Sequence, residues 1–168
     1  INASVFIEFL GYFISEGHLS SSQPGQHSVV ISQKKYVTEI RDCLAKLPFN
    51  IYEFTNNDQI TKFVITNKPL FIWLSEHVGR KARDKKIPDF MKSLSWSQLK
   101  SLFDALMLGD GTYMSATFCR YFSSSKGLAD DVQEISLKLG CKAEIRKSLK
   151  RGKYEYRIDI KIPNSKKN

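Results

Sequence analysis

The sequence predicts an α+β fold made of two pseudo-symmetric halves, each ordered helix–strand–strand–helix–strands, with the two leading helices side by side. Three observations predict it: an apolar segment recurs after 94 residues, an amphipathic segment recurs after 92 residues, and strand-like runs flank each amphipathic segment. A chain of 168 residues is long enough to bury a substantial core. We therefore expect a single domain, 1–168, with halves at about 1–92 and 93–168.

The apolar segments are Phe9–Gly17 and Phe103–Gly111, and each has the length of a helix and no proline. Both carry small residues four positions apart, namely Gly11 with Ser15 and Ala105 with Gly109. Residues at i and i+4 share a helix face, and small side chains there let two helix axes approach below the usual spacing of about 8–10 Å. We predict that these two helices pack against each other around a pseudo-twofold axis.

Each apolar segment ends in an acid followed by a glycine, Glu16-Gly17 and Asp110-Gly111. Glycine adopts the left-handed conformation common just after a helix, so we expect that conformation at Gly17 and Gly111. A carboxylate at a helix C-terminus opposes the helix dipole, and packing of the helices would bring the two acids together. One acid would then tend to stay protonated unless a cation lies nearby.

Two such acids in a basic chain point to metal-assisted hydrolysis of a phosphodiester. Mg²⁺ binds carboxylate oxygens together with water and phosphate oxygens, and it activates water and stabilises the leaving oxygen. Glu16 and Asp110 are the candidate ligands, and the alternative is that both merely end helices at the surface. The sequence shows no glycine-rich phosphate loop and no recognisable pairing of histidine with a serine or cysteine nucleophile.

The amphipathic segments are Lys34–Leu47 and Lys126–Leu139, which stop at Pro48 and Gly140. Strand-like runs lie before and after each of them. They are Ser28–Gln33, Asn50–Thr55 and Lys62–Thr66 in the first half, and Thr117–Ser124, Cys141–Leu149 and Tyr154–Ile162 in the second.

The charge of the chain favours a polyanionic partner. Twenty-six Lys and Arg against 17 Asp and Glu give +9, and no Lys or Arg precedes Lys34. Six basic residues lie between Arg80 and Lys92, and ten lie between Lys142 and Lys167. These runs form either a solvated basic face or a surface that follows a nucleic-acid backbone.

Alternation along the strands separates the side chains that could contact DNA from those that face the core. In the last hairpin the apolar set is Ala143, Ile145, Tyr154, Tyr156, Ile158 and Ile160. The opposite face carries basic side chains and hydrogen-bond acceptors, and a two-stranded ribbon fits the DNA major groove. The candidate DNA-binding residues are Ser20, Ser22, Gln26, Ser28 and Lys34 in the first half, Arg83 and Lys86 between the halves, and Arg120, Lys142, Arg146, Lys150, Lys153, Arg157 and Lys161 in the second.

Several other classes of protein are excluded by composition. No apolar run approaches the roughly 18 residues that cross a bilayer, and the N-terminus has no basic region before an apolar stretch from which a signal peptide could be read. The three cysteines have no paired spacing that would indicate a disulfide framework or a zinc site. We expect an intracellular protein, in the cytoplasm or nucleoid or within an organelle, with no membrane partner.

The paired segments resemble the duplicated motif of LAGLIDADG homing endonucleases. The block Lys85–Phe90 is similar to the one that precedes the second motif in intein-encoded members, and Tyr121–Leu139 also resembles that group. The resemblance implies a monomer with two αββαββ(α) halves, whose antiparallel sheets form a saddle over double-stranded DNA with a long asymmetric target site. It also allows an intein splicing domain fused outside this chain.

The resemblance further implies roles for individual residues. Glu16 and Asp110 match the acids that bind Mg²⁺ or Mn²⁺, with Ser15 and Gly109 beside them as candidate ligands. Lys85 matches the basic residue that polarises the attacking water or steadies the phosphate charge. In the second half this basic residue has no clear counterpart, and Arg157 and Lys161 are candidates on geometric grounds only.

Two functions follow from the resemblance. The first is a site-specific double-strand DNA endonuclease that leaves short 3′ overhangs. The alternative is a non-cleaving nucleic-acid-binding module, either a regulator or an RNA-splicing maturase. The first motif ends in Glu16 where the family name has aspartate, so the two metal sites would not be equivalent.

Overall fold

The computed structural model describes residues 2–21, 25–150 and 152–163, so the predicted DNA-binding residue Ser22 lies outside the described residues. The fold is α+β, as the sequence predicts. The first half contains α1 (Ala3–Glu16), β1 (Gly17–Ser20), β2 (Ser28–Gln33), α2 (Val37–Leu44), β3 (Ile51–Thr55), β4 (Thr61–Thr66) and α3 (Lys68–His77). After a 3-10 helix at Asp89–Ser93, the second contains α4 (Trp96–Asp110), β5 (Gly111–Ser115), β6 (Phe118–Ser123), α5 (Lys126–Lys138), β7 (Lys142–Lys150) and β8 (Lys153–Lys161).

The two halves build their antiparallel sheets in the same order. The first sheet is ordered β1-β2-β4-β3 and the second β5-β6-β8-β7, each with four strands. The strand that follows each motif helix pairs in a matching register, Gly17 with Ile31 and Gly111 with Tyr121. This register lets positions in one sheet be matched to positions in the other.

The motif helices α1 and α4 pack on each other through small residues, as predicted. A Cβ atom placed on Gly11 would lie 2.5 Å from the Cβ of Ala105, and one on Gly109 would overlap the Ser15 side chain. Because Gly11 faces Ala105 and Ser15 faces Gly109 in the same order, the helices run in the same direction. Their C-termini, and therefore their terminal acids, meet at one end of the interface.

The prediction of left-handed glycines after these helices is wrong. Gly17 has φ −91° and ψ 158°, and Gly111 has φ −101° and ψ 160°, so each helix passes directly into an extended strand. Glycine is required there for space rather than for φ. A Cβ on Gly17 would lie 2.6 Å from the Phe13 carbonyl oxygen, and one on Gly111 2.5 Å from that of Met107.

The amphipathic helix of the first half is shorter than predicted. It begins at Val37 rather than Lys34, because the Gln33 side-chain oxygen accepts hydrogen bonds from the backbone N–H groups of Lys34 and Lys35 and holds this stretch in a bend. The equivalent helix α5 spans Lys126–Lys138, within one residue of the prediction. Its N-cap residue, Ser125, accepts a hydrogen bond from the Leu128 N–H and fixes the start of the helix, whereas Tyr36 at the start of α2 makes no side-chain cap.

The last hairpin follows the predicted alternation only near its base. Tyr156, Ile158 and Ile160 are buried, whereas Tyr154, predicted to face the core, is 52% exposed. The Lys147 ammonium lies 3.6 Å from the centre of the Tyr154 ring. The hairpin tip therefore extends past the apolar layer, and its aromatic side chain packs beneath a cation instead. No helix in the described residues is long and apolar enough to cross a membrane.

Candidate functional site

The two motif acids, Glu16 and Asp110, are the last residues of α1 and α4. The parallel packing of these helices brings both carboxylates to one end of the interface. Burial and the charge of Glu16 raise the pKa of Asp110 to about 7. Asp110 is solvent-accessible but lies in a concave part of the surface, where surrounding protein reduces its hydration. Two carboxylates placed this way disfavour each other's charge, and a cation beside them favours the ionised forms.

The Glu16 carboxylate is held by Gln33, which lies outside the first motif. The Gln33 side-chain amide donates a hydrogen bond to Oε1 of Glu16, at 3.1 Å. Burial raises the pKa of Glu16, and the Gln33 bond and the nearby Lys85 charge oppose that rise. Because the backbone N–H groups of Lys34 and Lys35 fix the Gln33 amide, Glu16 is oriented by the same bend that shortens α2.

Lys85 lies at the edge of a cleft, and its ammonium is bonded within the protein. Its side chain is buried, with 7% of the residue exposed. Its ammonium donates hydrogen bonds to the backbone oxygens of Phe13, Ile14 and Gly17, at 3.0, 2.6 and 2.7 Å. Burial lowers the pKa of Lys85 to about 8, although Asp110 and Glu16 favour its charged form. Lys85 therefore caps the C-terminus of α1, and it is a positioning residue for Glu16.

We expect Lys85→Met to lower the free energy of unfolding by about 2 kcal/mol, because it removes the donors from buried carbonyls at the end of α1. Chemical denaturation at neutral pH measures the change. The exposed neighbour variant Lys86→Met removes the same charge and should leave stability within about 0.5 kcal/mol. Equal stabilities of the two variants would contradict the capping role.

A cleft of about 380 Å³ opens beside these groups. Its lining includes Ser15 and Asp110 from the motif helices and Lys85 from the segment between the halves. The tip of the last hairpin contributes Lys150 and Lys153. The Ser15 hydroxyl itself donates to the carbonyl of Gly11. The cleft thus joins Asp110 to two of the predicted DNA-binding lysines.

The second sheet carries a separate depression of about 440 Å³ on the face opposite its core. Five predicted DNA-binding residues line it: Arg120, Lys142, Arg146, Arg157 and Lys161. Among the described residues, neither of the candidate basic partners for the second motif, Arg157 and Lys161, is hydrogen-bonded to the end of α4. Arg157 donates to Asp159 instead.

The predicted residues of the first half are more dispersed. Ser28 is 3% exposed and its hydroxyl is buried, so its prediction as a DNA contact is corrected. Ser20 is half-buried, and Gln26 and Lys34 are exposed. Arg83 and Lys86, which lie between the halves, are also exposed.

Sequence reasoning missed two residues near the acids. Gln33 was recognisable only as the end of a strand that returns toward Glu16. Tyr121 is fully buried, its hydroxyl has no hydrogen-bond partner among the described residues, and burial with Asp110 and Glu16 raises its pKa well above the usual value. An aromatic residue in a strand indicates a core position, so its proximity to the acids carried no signal in the sequence.

Within the described ranges, His, Cys, Asp and Glu side chains form no group of three or more that could hold a metal ion. Glu16 and Asp110 are a pair. Any ion beside them would need further oxygen ligands from the backbone, from water or from a substrate.

Comparison with known proteins agrees with this arrangement. Residues 97–164 match the family model of the LAGLIDADG-like domain. The structure of I-DmoI in complex with DNA and Mn has a TM-score of 0.69 and 16% identity, over 94% of this chain and 89% of that chain. The chain therefore has the fold of I-DmoI, and its second half is similar to the LAGLIDADG-like domain.

Two further matches are a solved domain and a curated protein. The N-terminal LAGLIDADG domain of DUF199/WhiA has a TM-score of 0.58 at 11% identity, over 92% of this chain and 74% of that chain. A Chlamydomonas moewusii protein named as an ATP-dependent Clp protease proteolytic subunit is 28% identical over 155 residues, which is 85% of this chain. The chain spans 15% of the length of that relative.

Proposed function

We propose that this protein is a site-specific, divalent-metal-dependent double-strand DNA endonuclease. The observation that carries the proposal is the meeting of Glu16 and Asp110 at the ends of parallel motif helices, where each charge is disfavoured without a cation. The same fold is found in I-DmoI, a homing endonuclease whose structures contain DNA and Mn. Short 3′ overhangs are the expected products.

The residues present fit a divalent ion. Glu16 and Asp110 would hold it through their carboxylates, and Ser15 and Gly109 would contribute through backbone oxygens because the Ser15 hydroxyl is used within its helix. Mg²⁺ or Mn²⁺ bound there would activate water and stabilise the leaving oxygen. Because the pKa of Asp110 is about 7, binding at lower pH would release a proton.

The protein's own side chains prepare this site in distinct ways. Gln33 holds one oxygen of Glu16 and leaves the other free of that bond. Lys85 fixes the last turn of α1 and places a positive charge near both acids. The two acids differ in length and in neighbours, so the two strands of DNA would meet unequal sites and be cut at unequal rates.

Double-stranded DNA is the proposed partner, bound by a monomer with the exposed sheet faces over a long asymmetric site. The lysines at the tip of the last hairpin would follow phosphates, and the depression on the second sheet would contact base edges. We also propose that the domain is carried inside a host protein, such as an intein. The match to a stretch of only 15% of the Chlamydomonas moewusii protein supports that arrangement.

A cleavage selection tests the proposal. The protein is incubated with a randomised plasmid library in Mg²⁺, and in parallel in Ca²⁺ as a binding-only condition, and the cut ends are sequenced. Cuts within one long asymmetric motif would support the endonuclease. Enrichment of bound sequences in both metals without cuts would instead identify the alternative, a non-cleaving nucleic-acid-binding module.

A further inference from the structure

Asp159 gathers three arginines from three adjacent strands on the outer face of the second sheet. Its carboxylate is 3.0 Å from Nε of Arg120, 3.0 Å from Nη2 of Arg157 and 3.1 Å from Nε of Arg146. The Asp159 side chain is only 11% exposed, whereas those of the arginines are 32%, 35% and 56% exposed. The acid therefore lies beneath a layer of guanidinium groups that still reach solvent.

The contacts hold each arginine while leaving nitrogen atoms available. Arg120 is bound to Asp159 through Nε, and its terminal nitrogens have no partner in the part of the chain that the structure describes. Its guanidinium also lies 5.3 Å from the centre of the Phe118 ring, which restricts its rotation. A guanidinium fixed in this way keeps a planar fork of donors and loses less conformational entropy when it binds.

The cluster is not needed to build the sheet. The matched registers place Arg120 opposite Asp159 in the second half where Val30 is opposite Val64 in the first. A pair of valines thus fills the same positions in a sheet of the same order. Because a four-stranded sheet forms without the charges, the Arg–Asp cluster is a property of the second half's outer surface.

The chemistry of the cluster favours base edges over phosphates. A carboxylate at its centre, with Glu144 bonded to Arg146 beside it, would repel phosphate oxygens. Guanine presents the O6 and N7 acceptors that an arginine fork matches in the major groove, and a carboxylate can accept from the amino group of the paired cytosine. The cluster therefore has donors and acceptors for both bases of a G·C pair.

We propose that Asp159 is a positioning residue that presets Arg120, Arg146 and Arg157 to read guanine, so that the half of the target under the second sheet contains G·C pairs. This proposal rests on the proposed DNA-binding function and names which residues give it specificity. The first sheet, which has valines at the matched positions, would read its half of the target by other contacts.

The test is a binding selection on a randomised duplex library in Ca²⁺ with the wild type, Asp159→Asn and Asp130→Asn. Asp130 pairs with Lys126 on the exposed side of α5, so its variant makes the same charge change away from the sheet. We expect Asp159→Asn to lose roughly tenfold or more of the guanine preference over one contiguous block of target positions. Preference in the other half, and affinity for unrelated DNA, should not fall.

A second variant keeps the test valid if Asp159→Asn folds poorly, which its melting temperature would show. Arg120→Lys retains the charge but not the fork, and it should reduce the guanine preference at one or two positions of the same block. Three results would overturn the proposal and leave the proposed function intact. They are an unchanged base preference in these variants, an even loss of preference across the whole site, and a wild-type site without G·C pairs in either half. A wild type that selects no sequence overturns both.

Discussion

We expect Asp110→Asn to reduce cleavage in Mg²⁺ by roughly a thousandfold or more, because a metal-binding carboxylate supplies several kcal/mol of transition-state stabilisation. Binding of the same DNA should stay within a few-fold, since the exposed sheet faces that would hold the duplex are unaltered. The measurement is single-turnover cleavage of the selected target, together with the dissociation constant in Ca²⁺.

The fold of this variant should be at least as stable as the wild type at pH 8. The raised pKa of Asp110 means that its charged form is disfavoured in the folded protein, and asparagine removes that charge. Asp104→Asn is the matched control, because Asp104 lies on the same helix but at a distance from the acids. Its carboxylate is 2.6 Å from the ammonium of Lys100. It should cleave normally. Wild-type rates in Asp110→Asn would remove Asp110 from the mechanism.

The second large effect is expected at the interface of the motif helices. Gly11→Leu should lower the free energy of unfolding by about 3 kcal/mol, because even a Cβ there would meet Ala105 at 2.5 Å and the Leu102 carbonyl oxygen at 3.1 Å. For a chain of this size that corresponds to a fall of roughly 6–12 °C in melting temperature. Differential scanning calorimetry measures it.

Gly127→Ala is the control for a glycine within a helix. A Cβ on Gly127 would meet nothing closer than 3.8 Å, so alanine should raise stability by a few tenths to about 1 kcal/mol through helix propensity. Opposite signs at the two glycines are therefore expected. A melting temperature that Gly11→Leu leaves unchanged would contradict the close packing of α1 on α4.

The positions of the motif acids could be predicted because they depend on periodicity. Gly11 and Ser15 meet Ala105 and Gly109 at the same offset as Glu16 and Asp110, so one alignment within the sequence gives the interface, its direction and the meeting of the acids. The strands of the second half were predicted for a similar reason, since alternation survives wherever one face of a strand packs on helices.

The role of Lys85 could not be predicted, because its partners are backbone oxygens about 70 residues away along the chain. The sequence does not distinguish a buried lysine from an exposed one. Only the path of the segment between the halves shows that the Lys85 side chain is buried. The roles of Gly17 and Gly111 could not be fully predicted from the sequence either. The sequence indicates that glycine is needed after each helix, but whether for φ or for space depends on the strand that follows.

The amino-acid sequence by itself determined the two halves, the helix pair and the meeting of Glu16 with Asp110, because spacing along a helix fixes which face a residue occupies. Tertiary structure alone decided which groups hold those acids and which charges gather on the sheet. Contacts between distant segments give Gln33, Lys85 and Asp159 their roles. The strength of a hydrogen bond or of a charge interaction depends on burial and geometry, which no local sequence pattern encodes.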